Sequence, residues 1–128
     1  VILVDTSVWV DFFRGADRAA DLAEHLESNL VLLHPWVLGE LVLGGLGPRR
    51  KSVIADLKRL PASPLVPDEE VLELILARQL SGRGIGWVDV HLLASALVAG
   101  CGLWTFDGRL GAVARDLGVV SAHGQPLQ

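Results

Sequence analysis

The chain has 128 residues, 51% hydrophobic and 20% charged, with a mean hydropathy of +0.45; this excludes disorder and suits one domain over 1–128 that buries roughly two-thirds of its unfolded surface. A net charge of −4, from 11 basic and 15 acidic residues, argues against broad attraction to nucleic acid, and no apolar run reaches the roughly 18 residues of a membrane span. The single cysteine, Cys101, excludes an internal disulfide and reads as a buried free thiol.

The opening run Val1-Ile2-Leu3-Val4 predicts a short strand buried on both faces, the kind found inside a parallel sheet. Asp5 ends it, where open α/β sheets place their ligand crevice, and Thr6 or Ser7 can cap a following helix over Val8–Arg14. Apolar spacing at Ala19, Leu22, Ala23 and Leu26 predicts an amphipathic helix from Ala16 to Ser28, broken by Asn29. Leu30–Leu33 reads as a second buried strand, and Pro35 then opens a helix to Leu43.

After the glycine-rich turn at 44–48, Arg49–Leu60 predicts a helix with Val53, Ile54, Leu57 and Leu60 facing inward. Pro61–Pro67 admits at most a short edge strand. Asp68 is placed to cap Glu69–Leu80, with Val71, Leu72, Ile75, Leu76 and Leu80 as its core stripe. Ser81–Gly86 is glycine-rich, but it lacks the Lys-Ser/Thr ending and preceding strand of a phosphate loop. Trp87 opens a nearly all-apolar helix to Ala99, interrupted from Leu92 onward by Ser95 alone. Leu103–Phe106 predicts a strand, Arg109–Leu117 a helix, and Val119-Val120 a last strand. Alternating short strands and helices imply an α/β fold with a mainly parallel sheet.

Four acids stand out by their surroundings. Asp5 and Asp107 each follow an apolar strand, Asp89 opens a buried helix, and Glu40 is the only charge in Trp36–Leu43. An ionised carboxylate in apolar surroundings costs several kcal/mol unless paired or bound to metal. Arg109 is the only cation within three residues of any of them, so a shared divalent ion satisfies all four. Oxygen ligands suit Mg²⁺ or Mn²⁺, and the implied reaction is phosphodiester hydrolysis by a metal-activated water. Taken singly, Asp5 and Asp89 also read as helix caps, Asp107-Gly108 as a turn pair, and Glu40 as a residue reaching solvent. Asp11, Asp17 and Asp21 read as surface acids, and the runs at Arg49–Lys51 and Lys58-Arg59 as a solvated helix face. His34 and His91 are distant in sequence, with no His/Cys cluster for zinc.

Four blocks, in order, carry a resemblance: Val4-Asp5-Thr6-Ser7-Val8-Trp9; His34-Pro35 leading to Gly39-Glu40-Leu41; Gly82–Ala96 around Trp87-Val88-Asp89; and Leu103-Trp104-Thr105-Phe106-Asp107-Gly108-Arg109-Leu110. With them the chain resembles PIN-domain ribonucleases, and more narrowly VapC toxins of toxin–antitoxin pairs. The resemblance implies a three-layer α/β/α sandwich with strand order 3-2-1-4-5. It implies a toxin that is an Mg²⁺- or Mn²⁺-dependent endoribonuclease, with Asp5, Glu40, Asp89 and Asp107 as its active site and Asp5 and Asp89 as metal ligands. Ser7 and Thr105 would support the carboxylates. The chain departs from many relatives at Phe106 and Arg109, where those carry a polar residue and a lysine, which bears on RNA contacts near Asp107. An RNA substrate, a VapB-type antitoxin and a homodimer are the implied partners, with no membrane and a soluble, cytoplasmic setting. The apolar residues Trp9, Phe12, Phe13, Trp36 and the Leu41–Leu46 stretch are expected to be partly exposed as the antitoxin or dimer patch.

Two other classes share such a frame. A receiver-type signalling domain needs paired acids after the first strand and a lysine after the fifth, yet Asp5 precedes Thr6 and Ser7, and no lysine follows Lys58. A catalytically silent binding domain would keep the fold without the chemistry.

Overall fold

The structure, a computed structural model, describes residues 1–44 and 46–121. Its centre is a parallel sheet of three short strands in the order β2-β1-β3: β1 (Ile2–Val4), β2 (Val31–Leu32) and β3 (Gly102–Trp104). Ile2 pairs with Val31 on one side and Gly102 on the other, and Val4 with Trp104. Ile2, Leu3 and Val4 are all buried, as a central strand of continuous apolar residues requires. Beyond each edge lies a single parallel bridge, Leu33 to Ala62 and Leu103 to Val120. The edge strands expected at Pro61–Pro67 and Val119-Val120 are therefore reduced to one bridge each. Pro61, Pro64 and Pro67 have no N–H to extend a ladder. On the other edge, Gly102 has room for the 119–121 segment because a Cβ there would lie 2.8 Å from the Cα of Ser121.

Among the described residues seven α-helices surround the sheet: α1 (Thr6–Phe13), α2 (Leu22–Glu27), α3 (Pro35–Gly44), α4 (Arg50–Leu57), α5 (Asp68–Arg78), α6 (Trp87–Ala99) and α7 (Gly108–Asp116). The amphipathic helix expected over Ala16–Ser28 is divided. Residues Asp17–Ala19 form a 3₁₀ turn, Ala20 N–H donating to the Asp17 carbonyl at 3.1 Å, and α2 starts only at Leu22. This tighter turn keeps both Ala19 and Leu22 fully buried. Asn29 ends the segment in the left-handed region, at φ 56°. Another 3₁₀ turn, Gly47–Arg49, leads into α4, where Arg49, Arg50 and Lys51 are exposed.

Two packing expectations fail in instructive ways. Leu72 and Leu76, assigned to the core stripe of α5, are 51% and 77% exposed, while Val71 and Leu80 are buried. Asp68 does not cap that helix but is its first residue, with Pro67 before it. The deepest helix is α6, buried continuously from Val90 to Ala96 and ended by Gly100 in the left-handed region. Its polar Ser95 is fully buried and donates to the Pro64 carbonyl at 2.7 Å, tying α6 to the proline segment. Cys101 is half-buried, its thiol pKa pushed up by that burial.

Candidate active site

The ends of β1 and β3 bring the first and last acids of the set together. Asp5 is 7% exposed and extends the sheet by donating its N–H to the Trp104 carbonyl at 2.9 Å. It occupies the residue before α1, yet its side chain makes no cap bond to that helix. Instead Oδ2 accepts the hydroxyls of Ser7 and Thr105, both at 2.7 Å. Those hydroxyls are fixed from behind: Phe106 N–H donates to Ser7 Oγ and Asp107 N–H to Thr105 Oγ1, each at 3.0 Å. Capping by Thr6 or Ser7 is therefore replaced by a different use of the same residues. Ser7 orients Asp5, and the Thr6 hydroxyl donates to Glu40 Oε1 at 2.6 Å, joining α1 to α3.

Asp107 is a true helix cap, its Oδ1 accepting the N–H groups of Arg109 and Leu110 at 2.9 and 3.1 Å. Asp89 lies in the first turn of α6 and reaches back to the Gly86 N–H with Oδ2, at 2.9 Å. That is half of a capping box, since the glycine has no side chain to return the bond. Burial raises the Asp89 pKa, the Gly86 N–H lowers it, and the negative charges of Asp5, Asp107 and Glu40 raise it further. The four acids thus share one electrostatic neighbourhood. Only Asp5 is deeply buried; Asp89 is partly so, and Glu40 and Asp107 are exposed. Desolvation of all four, the reason they stood out in the sequence, holds for the first two.

The hydrogen bonds follow one pattern. Each carboxylate gives one oxygen to the protein: Oδ2 of Asp5, Oε1 of Glu40, Oδ2 of Asp89 and Oδ1 of Asp107. Among the described residues the other oxygen receives no hydrogen bond and no ion pair. Among the described residues no arginine forms an ion pair with the four acids. Arg109 packs over Gly84, whose φ of +79° and lack of a Cβ leave room for it, and Arg83 pairs with Asp116 at 2.8 Å. Arg18 pairs with Asp11 at 2.5 Å and lies 4.1 Å from the Phe106 ring centroid. Asp11 is thus a paired, largely covered acid rather than the free surface residue expected; Asp17 and Asp21 are exposed.

Carboxylates with uncommitted oxygens and no cation are hard, anionic donors of the type Mg²⁺ and Mn²⁺ take. Among the described residues, no group of three His, Cys, Asp or Glu side chains is close enough to form a ready-made metal cage. An ion held by these carboxylates would keep much of its water and take few protein ligands. The histidines, separate in sequence, are neighbours in the fold: the rings of His34 and His91 lie 6.4 Å apart, and both are buried. Burial, then the neighbouring His91, lowers the His34 pKa to about 4. The His91 contact with Trp87 was legible as an i,i+4 pair on one helix, while its meeting with His34 required the fold.

The apolar patch expected around the acids is only partly exposed. Trp9 and Leu41 are buried, Phe12 and Phe13 half-buried, and Trp36 and Leu43 are 38% and 88% exposed. Trp9 is covered because it stacks on Phe13 and meets Phe12 edge-on. No helix among the described residues is long and apolar enough to cross a membrane.

Comparison with known proteins shows the family. The PIN domain family model matches residues 2–116. The chain is 46% identical, over 125 residues, to the proteins named Ribonuclease VapC32 in two strains of Mycobacterium tuberculosis, CDC 1551 / Oshkosh and ATCC 25618 / H37Rv. In both cases the match covers 96% of this chain and 98% of the relative. With the family model matching residues 2–116 and these relatives matching 96% of its length, the chain belongs to the PIN domain family, on its VapC branch.

Proposed function

We propose that this chain is an Mg²⁺- or Mn²⁺-dependent endoribonuclease and the toxin of a toxin–antitoxin pair. The observation that carries this reading is the set of four carboxylates, each with one oxygen held by the protein and one uncommitted, with no paired cation among the described residues. The name of the VapC32 relatives supports the ribonuclease assignment. Asp5 and Asp89 are the proposed ligands: Asp5 because two hydroxyls fix its carboxylate, Asp89 because the α6 N-terminus favours its charge there. A divalent ion bound there polarises the phosphodiester and makes water a better nucleophile. Ser7 and Thr105 hold Asp5 in one rotamer, and Thr6 holds Glu40 toward the crevice. The uncommitted oxygens of exposed Glu40 and Asp107 can accept a proton as water attacks phosphorus.

An apolar groove of about 280 Å³ between α1 and α4, lined by Trp9, Phe12, Phe13, Leu26, Val53 and Leu57, suits an amphipathic helix. A VapB-type antitoxin is its proposed occupant, with an Arg or Lys pairing with Asp5, Glu40 or Asp89 in place of the metal. Homodimerisation would cover further apolar surface.

The test is incubation of purified protein with end-labelled RNA in Mn²⁺, in Mg²⁺ and in EDTA. Discrete cleavage in the metal buffers and none in EDTA is expected. Cleavage that persists in EDTA, or none in any buffer, contradicts the reading.

A further inference from the structure

Two tryptophans outside the acid cluster converge on one imidazole. Trp36, in the first turn of α3, and Trp87, the first residue of α6, lie with ring centroids 4.2 and 4.7 Å from His91. His91 is 4% exposed, whereas the indoles are 38% and 39% exposed. His34 backs the same group, edge-on to Trp36 at 6.0 Å, and its Nδ1 accepts the Trp36 N–H at 3.1 Å. The outer indoles are therefore seated on buried rings, with part of each surface left open.

Their placement gives this ledge an occupant. Trp36 precedes Glu40 by four residues on α3, so the two share a helix face one turn apart. Trp87 opens the helix whose first turn carries Asp89. A polymer whose phosphate is held at these carboxylates has the two indoles on the same helices that hold it, within a turn of Glu40 and Asp89 in sequence. The ledge offers aromatic surface beside the exposed Asp68 carboxylate, which lies 3.2 Å from His91 Nε2; an acid there disfavours a phosphate and leaves the rings to a nucleobase. Aromatic rings bind unpaired bases by stacking on either face, largely without regard to sequence. Of the other exposed apolar residues, Leu72 and Leu76 lie on α5, while Leu43 and Val98 sit at the C-terminal ends of α3 and α6, the opposite ends from Trp36 and Trp87.

Resting on the ribonuclease reading, we propose that Trp36 and Trp87 form a base-stacking subsite beside the acidic crevice, with His91 as its buried support. The ligand is an unpaired base next to the phosphate to be cut. Cleavage then favours single-stranded RNA over a duplex, whose bases are already stacked on one another.

The test uses single-stranded RNA with 2-aminopurine at successive positions and Ca²⁺ in place of Mn²⁺, read by stopped-flow fluorescence. Wild-type protein should quench the probe at one or two positions beside the cleavage site. Trp36→Ala and Trp87→Ala should each relieve the quench and weaken binding by about 5- to 150-fold, the range of one stacked base. Trp36→Phe and Trp87→Phe should keep most of both signals. An abasic site at the quenched position should weaken wild-type binding and leave the Ala variants little changed. Ala variants that stay folded by circular dichroism and bind like wild type would overturn the proposal. So would wild-type protein indifferent to the abasic site, or Ala variants that keep RNA affinity but lose self-association in sedimentation, which would make the ledge a protein contact. Cleavage assays with Mn²⁺ run beside these measurements keep the questions apart, because wild-type cleavage lost in Asp5→Asn supports the nuclease reading whatever the tryptophans do.

Discussion

Thr105 Oγ1 donates to Asp5 Oδ2 at 2.7 Å, a bond between residues 100 positions apart that closes β1 against β3 at the crevice. The hydroxyl is held in turn by the Asp107 N–H, so one threonine links two of the four acids. Groups that orient a ligand typically contribute 10- to 100-fold to metal affinity. Thr105→Val should weaken Mn²⁺ binding by about that factor, and Thr105→Ser should retain most of it. Calorimetric titration with Mn²⁺ checks this; a Val variant that binds Mn²⁺ like wild type would show that the bond does not orient Asp5 for metal.

Asp89 should make the metal-free protein less stable at neutral pH. Its folded pKa is raised by burial and by Asp5, Asp107 and Glu40, so the native state holds its proton to higher pH than the unfolded chain. Stability from this group is therefore present below the ordinary value of 3.8 and lost as pH rises through the elevated one. Asp89→Asn, which keeps an oxygen for the Gly86 N–H, should raise Tm in EDTA at pH 7. The gain should shrink toward pH 4 and when Mg²⁺ is added. A lower Tm than wild type in EDTA at pH 7 would mean that the cluster is not repulsive.

Ser95→Ala should destabilise the fold by about 1–3 kcal/mol, because the Pro64 carbonyl loses its donor inside the protein. Urea denaturation measures the change, with Ser95→Thr as the variant that keeps the hydroxyl. A loss below about 0.5 kcal/mol, the usual range for surface substitutions, would show that water replaces the bond.

Asp5 and Asp89 were legible because each stands where an apolar run meets a strand or helix end, and that grammar is local. Asp107 could be read as site residue or helix cap, and the structure shows a cap whose second oxygen is uncommitted. Glu40 was chosen for isolation in an apolar run, yet it is exposed; the Thr6 bond that turns it toward the site joins residues 34 apart and has no local signal. The helical spacing of α5 could not separate Leu72 and Leu76 from Val71, because apolar residues occupy more than one face and only packing selects the buried one. Strand lengths failed for a related reason. Pro61, Pro64 and Pro67 remove donors from one outer ladder, and each outer ladder is a single bridge, although the apolar runs alone predict longer pairing.

The most direct measurement is the rate of Mn²⁺-dependent RNA cleavage by Asp5→Asn beside wild type, with Tm recorded for both. Asparagine keeps an oxygen for the Ser7 and Thr105 hydroxyls while removing the charge, so the fold should survive. The account predicts no detectable cleavage by the folded variant and discrete cleavage by wild type, whereas a folded Asp5→Asn protein cutting RNA at the wild-type rate would contradict it.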